Sequence, residues 1–115
     1  MNSMTSPSTD FLVKIDDIIN SCLSDKDFNI QQLAKEVGYS YTHTYRRLQT
    51  ATGLSPSVYI RNKRLDSACQ FLINTDLTIN QIAFQVGFKT QSYFSAKFSE
   101  YKECSPKEYR KLYSE

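Results

Sequence analysis

Apolar residues recur along this chain at spacings of three and four, and the strict alternation of a half-buried strand is absent. Phe11, Leu12, Ile15, Ile18, Ile19, Cys22 and Leu23 outline a first amphipathic helix behind Thr9 or Asp10 as N-cap, ending near Ser24 or Asp25. The polar residues 1–8 ahead of it read as a disordered tail. Asn29 then precedes Ile30, Leu33, Ala34 and Val37, with Gln32 three residues on as a capping-box partner. Gly38 is placed to stop this short helix in the left-handed conformation. The next helix is expected from about residue 40 to 52, closed by Gly53.

Ser55-Pro56 is a helix start, an N-cap followed by proline in the first turn. The helix it opens, over about 55–74, carries apolar residues on more than one side, which predicts packing between two neighbours. Thr78 and Gln81 form a second capping box ahead of Ile79, Ile82, Ala83 and Val86, stopped by Gly87. A helix over about 91–102 follows, then a last one opened by Ser105-Pro106 with Glu108 at the capping position. The pattern predicts an all-α fold of about seven helices.

An internal repeat runs through these elements. Ile30, Leu33, Ala34, Val37, Gly38 and Tyr39 reappear as Ile79, Ile82, Ala83, Val86, Gly87 and Phe88. Beyond the turn the offset grows by one, so Leu48 matches Phe98, Pro56 matches Pro106 and Tyr59 matches Tyr109. The second turn therefore holds one extra residue near Lys89-Thr90. A short helix, a glycine turn and a longer second helix make the helix-turn-helix plan. Two such subdomains are expected, at about 28–54 and 77–104, joined by the linker helix at 55–74 and followed by a C-terminal helix at 105–112. At about 1.5 Å per residue the linker is roughly 30 Å long, close to one duplex turn of about 34 Å.

Composition narrows the class. With 115 residues, 40% hydrophobic and 23% charged, the chain is an ordinary globular domain. No apolar run reaches the roughly 18 residues of a membrane span, and the first residues lack a signal-peptide layout, so the cytoplasm is the expected location. Cys22, Cys69 and Cys104 have neither metal-ligand nor redox spacing and read as small buried hydrophobes. The net charge of +2 is small, but its distribution is uneven. Residues 37–65 contain no acid, against Arg46, Arg47, Arg61, Lys63 and Arg64, and residues 77–99 are charged only at Lys89 and Lys97. Such stretches suit a polyanion-facing surface, although taken alone they are more often a solvated face.

The motifs themselves are more specific. The Leu33-Ala34-x-x-Val37-Gly38 turn, the Gly53-Leu54-Ser55-Pro56 junction and Tyr59-Ile60-Arg61 through Arg64-Leu65 and Ala68 resemble the DNA-binding domain of the AraC/XylS family of bacterial transcription regulators. The second half is similar too, through Ile82-Ala83, Val86-Gly87-Phe88, Gln91-Ser92-Tyr93-Phe94-Ser95, Phe98, Cys104-Ser105-Pro106 and Tyr109-Arg110. The resemblance covers about residues 10–112 and implies a single DNA-binding domain over 9–113. The first helix and the run Tyr45-Arg46-Arg47-Leu48 also resemble the C-terminal module of hybrid two-component regulators, implying an origin in a larger sensor protein. It further implies regulation of transcription, activation through RNA polymerase, nucleoid association and no cofactor. The sequence departs from the family at Thr44, where a core leucine is usual, at Glu103, where glycine is usual, and at Ala96, where some members carry a DNA-contacting arginine.

In a helix-turn-helix the second helix enters the major groove with its outward face on base edges. With Thr44, Leu48 and Ala51 toward the core, Thr42, Tyr45, Arg46 and Gln49 become the expected base readers of the first unit. Arg46 fits the two guanine acceptors; a phosphate contact or a solvated charge is its alternative, and helix packing is that of Tyr45. With Phe94, Phe98 and Tyr101 as core, Gln91, Ser92, Ser95 and Lys97 face DNA in the second unit, Gln91 matching adenine. Tyr41, His43, Arg61, Arg64, Lys89 and Thr90 are expected at phosphates, while Arg64 could equally anchor the linker helix through a buried hydrogen bond. His43, the only histidine, has no partner in a catalytic pattern, and no nucleophile, metal site or phosphate-cradling loop points to an enzyme. The competing function is a protein-interaction module that descends from a helix-turn-helix and has lost base readout.

Overall fold

A computed structural model of the chain describes residues 7–114, with side chains from residue 10 onward. The described residues form seven helices and no strand. In order these are α1 (Pro7–Ser21), α2 (Ile30–Val37), α3 (Tyr41–Thr52), α4 (Pro56–Asn74), α5 (Ile79–Gln85), α6 (Gln91–Lys102) and α7 (Pro106–Tyr113). The tail expected over residues 1–8 falls outside the described residues up to position 6, whereas Pro7 and Ser8 already stand in α1. Two compact units emerge. The first holds α1, α2, α3 and the start of α4 up to Ile60. The second holds α4 from Arg61 onward, α5, α6 and α7, together with the Leu23–Asp27 segment between α1 and α2.

In the first unit Phe11, Ile15 and Ile19 of α1 meet Leu33, Ala34 and Val37 of α2 and Leu48 of α3 in the core. Asn29 caps α2 by accepting from the Gln32 N–H at 3.1 Å. Gly38 ends it at φ 79°, its N–H donating back to the carbonyls of Ala34 and Lys35. Thr44 is fully buried where an apolar residue would be ordinary. Its hydroxyl donates to the Ser40 carbonyl at 2.9 Å, so no polar group is stranded.

The second unit repeats the plan around Leu65, Ala68, Cys69, Leu72, Ile82, Ala83, Val86, Phe88, Phe94 and Phe98. Helices α3 and α6 are both 12 residues long. Reciprocal capping boxes form at Thr78–Gln81 and at Ser105–Glu108. The two-sided apolar pattern of α4 has its reason here: Ile60 belongs to the first core, and Leu65, Ala68, Cys69 and Leu72 belong to the second. Arg110 of α7 caps the end of α4, its guanidinium donating to Leu72 O at 3.0 Å and Thr75 O at 3.1 Å.

Other expectations change. Of the three cysteines read as buried, only Cys69 is; Cys22 and Cys104 are half-buried. Helix α1 stops at Ser21 rather than near Ser24 or Asp25, and the carbonyls of Leu23 and Asp25 beyond its end accept from Arg64. Tyr101, expected in the core, is 37% exposed, and its hydroxyl donates to Asp66 Oδ1 at 3.0 Å.

Candidate nucleic-acid interface

Burial of Thr44 and Leu48 fixes the inward face of α3, and the helical advance of about 100° per residue then sets the rest. Thr42, Arg46 and Gln49 are exposed, and with Tyr41 and Tyr45 they line a shallow depression of about 380 Å³. Tyr45 is half-buried beside Tyr41, the two rings 6.2 Å apart. Ser40 starts the helix by accepting from the His43 N–H at 3.1 Å. The exposed His43 ring lies 4.5 Å from that of Tyr39.

Arg47 has a role that local spacing does not reveal. The guanidinium of Arg47 lies 4.2 Å from the centre of the Phe11 ring, packing α3 against α1. Neighbouring arginines thus have different work. Arg46 points outward from the helix, and Arg47 holds the helix in place. The signal in the sequence is partial: Arg47 sits between the core positions Thr44 and Leu48, but its partner ring lies on another helix.

In the second unit, Phe94 and Phe98 are fully buried and leave Gln91, Ser92 and Ala96 exposed. Ser95 and Lys97 are half-buried on opposite flanks of α6. The Lys97 ammonium lies 3.5 Å from Glu100 and 5.6 Å from the Tyr93 ring. It shares a shallow groove with Arg61, Asn62, Leu65, Glu100 and Tyr101. Its place beside α4 makes it a flank residue and not an outward one, because its repeat position is that of Arg47. Thr90 caps α6 by accepting from the Tyr93 N–H at 3.1 Å. Lys89 is exposed, 4.0 Å from the equally exposed Asp27. Arg61 is half-buried on α4.

Arg64 does not stand at the surface. It is 6% exposed and donates to the carbonyls of Leu23, of Asp25 (3.0 Å) and of Val86 (3.0 Å). A guanidinium 6% exposed and bonded to three backbone carbonyls is held away from the surface where a phosphate would lie, so the geometry favours the anchor alternative over the phosphate contact.

Ionisable groups elsewhere have structural explanations. Burial pushes the Cys69 thiol above its usual range despite its hydrogen bond with Tyr109, and that bond together with burial raises Tyr109 to about 12. Burial and the adjacent Asp66 carboxylate raise Tyr101 to about 12. Among the described residues no three His, Cys, Asp or Glu side chains are placed to hold a metal ion, and no helix is long and apolar enough to cross a membrane.

Two glycine-turn helix pairs, each presenting one face of its second helix, define a tandem helix-turn-helix protein. A family profile described as a helix-turn-helix domain matches residues 33–112. The chain belongs to the AraC-type helix-turn-helix family, whose members are DNA-binding domains of transcription regulators. The lactose operon transcription activator of Staphylococcus xylosus is 35% identical over 89 residues, covering 77% of this chain and 32% of that protein. Histidine kinase P4 of Formosa agariphila is 30% identical over 113 residues, 98% of this chain but 8% of the kinase. Among solved structures, the C-terminal domain of AraT, a response regulator from Geobacillus stearothermophilus, superposes with a TM-score of 0.84 at 27% identity. That match covers 98% of this chain and 91% of the other. The chain thus spans a third or less of the length of these two curated relatives.

Proposed function

We propose that this chain binds duplex DNA sequence-specifically and regulates transcription, with α3 and α6 as the recognition helices of one monomer in two successive major grooves. The observation that carries this is the outward face of α3, where Arg46, Thr42 and Gln49 are exposed together while the opposite face is locked by fully buried Thr44 and Leu48. Arg46 reads guanine, with Tyr45 beside it. Gln91, Ser92 and Ser95 meet the second groove. Tyr41, His43, Arg61, Lys89 and Thr90 contact backbone, and Lys97 joins them from the flank rather than reading a base. RNA polymerase is the protein partner, activation the output, and the bacterial cytoplasm and nucleoid the place. The kinase that shares this module supports a role as output domain of a larger sensor protein.

Salt titration of binding to duplex DNA tests this. With about 5–8 phosphates engaged, log affinity should fall against log salt with a slope of roughly −4 to −7, and Arg61→Ala should reduce that slope by about one. A flat salt dependence would favour the protein-interaction module instead.

A further inference from the structure

We propose that the two recognition helices divide base readout by chemistry, with α6 reading an A·T-rich box in which the methyl group of Ala96 packs against a thymine methyl. This rests on the DNA-binding function proposed above and adds the base class that the second helix takes.

Phe94 and Phe98 are fully buried, which turns Ala96 to the middle of the outward face, where it is exposed. Its repeat mate fifty positions earlier is Arg46, so the fork-shaped donor of α3 is replaced in α6 by a methyl group. The basic residues of α6 are Lys97 and Lys102, and both are engaged. Lys97 lies 3.5 Å from Glu100, and Lys102 lies 3.6 Å from Asp66. Neither presents, at the centre of the outward face, the cationic donor that most often reads guanine O6 and N7. That face offers other chemistry: the carboxamide of Gln91 at the first position, the hydroxyl of Ser92 and the methyl of Ala96, all exposed. A carboxamide matches the N6 and N7 edge of adenine, and an alanine methyl matches the C5-methyl of thymine, the one apolar group that a base shows in the major groove.

The test uses the 115-residue chain and a duplex selected from a random library, in which each thymine is replaced in turn by deoxyuridine. One position in one box should lose affinity about fourfold, the effect of one buried methyl group. Ala96→Gly should weaken binding to the unmodified duplex by a similar factor and become indifferent to deoxyuridine at that position. Ala96→Arg should shift the selected base there toward guanine. A selected site at which deoxyuridine changes nothing, or an Ala96→Gly variant as sensitive to it as the wild type, would overturn this inference alone. Failure to select any sequence would overturn the proposed function as well. The duplex substitution needs no protein variant, so the outcome stands even if a variant folds poorly.

Discussion

The guanidinium of Arg64 occupies the space that a Cβ on Gly87 would need. Gly87 has φ 89°, and a side chain there would overlap both Arg64 Nη1 and the Leu23 carbonyl that accepts from it. Gly38 ends the equivalent helix of the first unit at φ 79° with open space around it. The same turn residue therefore has one function in the first unit and two in the second.

Gly38→Ala should cost only the left-handed strain, about 1–2 kcal/mol. Gly87→Ala adds displacement of a buried charge from its carbonyls and should cost about 3–5 kcal/mol. For a domain whose whole stability is about 5–15 kcal/mol, that is a large share of the total. Urea unfolding of the two variants measures the difference. Equal losses would mean that Arg64 moves aside freely.

The contrast also shows what the sequence can and cannot disclose. Gly87, Ala83 and Val86 are legible as a turn because local spacing dictates it. So are the caps at Thr78 and Ser105, and the faces of α3 and α6, which follow from Thr44, Leu48, Phe94 and Phe98. What Arg64 does is settled by carbonyls 41 and 22 positions away in the chain, which no local pattern reports. The early end of α1 is lost for the same reason. Arg110 at the end of α4 and Arg47 over Phe11 are likewise partnerships between distant segments. Tyr101 fits an apolar stripe by spacing, yet Asp66 draws its hydroxyl to the surface.

Glu103 is the one described residue other than glycine with positive φ, at 62°, where it ends α6 as Gly53 ends α3. A glycine there removes the steric cost of a Cβ in the left-handed region. Glu103→Gly should stabilise the chain by about 1 kcal/mol, read as a raised midpoint of thermal or urea unfolding. Gly53→Glu should lose a similar amount. A Glu103→Gly variant less stable than the wild type would show that the carboxylate contributes more than the strain costs.

Glu108 gives a pH signature. Its carboxylate accepts from the Ser105 backbone N–H at 2.8 Å, and this, with the Ser105 hydroxyl, holds its pKa below the usual glutamate range. A depressed folded pKa means that the stabilisation is fully present above the unfolded value of about 4.3 and is lost as pH falls through the lower folded one. The melting-temperature advantage of the wild type over Glu108→Ala should therefore hold from pH 7 to about 5 and shrink toward pH 3. An advantage unchanged at pH 3 would show that the cap does not depend on the charge.

Sequence-specific readout by α3 depends most directly on Arg46. The decisive measurement is selection from a random duplex library by the wild type and by Arg46→Ala, followed by the affinity of each for the wild-type site. Arg46→Ala should bind that site about 1–3 kcal/mol more weakly and lose its preference at one or two base pairs, with the rest of the selected sequence intact. An Arg46→Ala protein that selects the wild-type sequence unchanged, or a wild type that selects none, would contradict it.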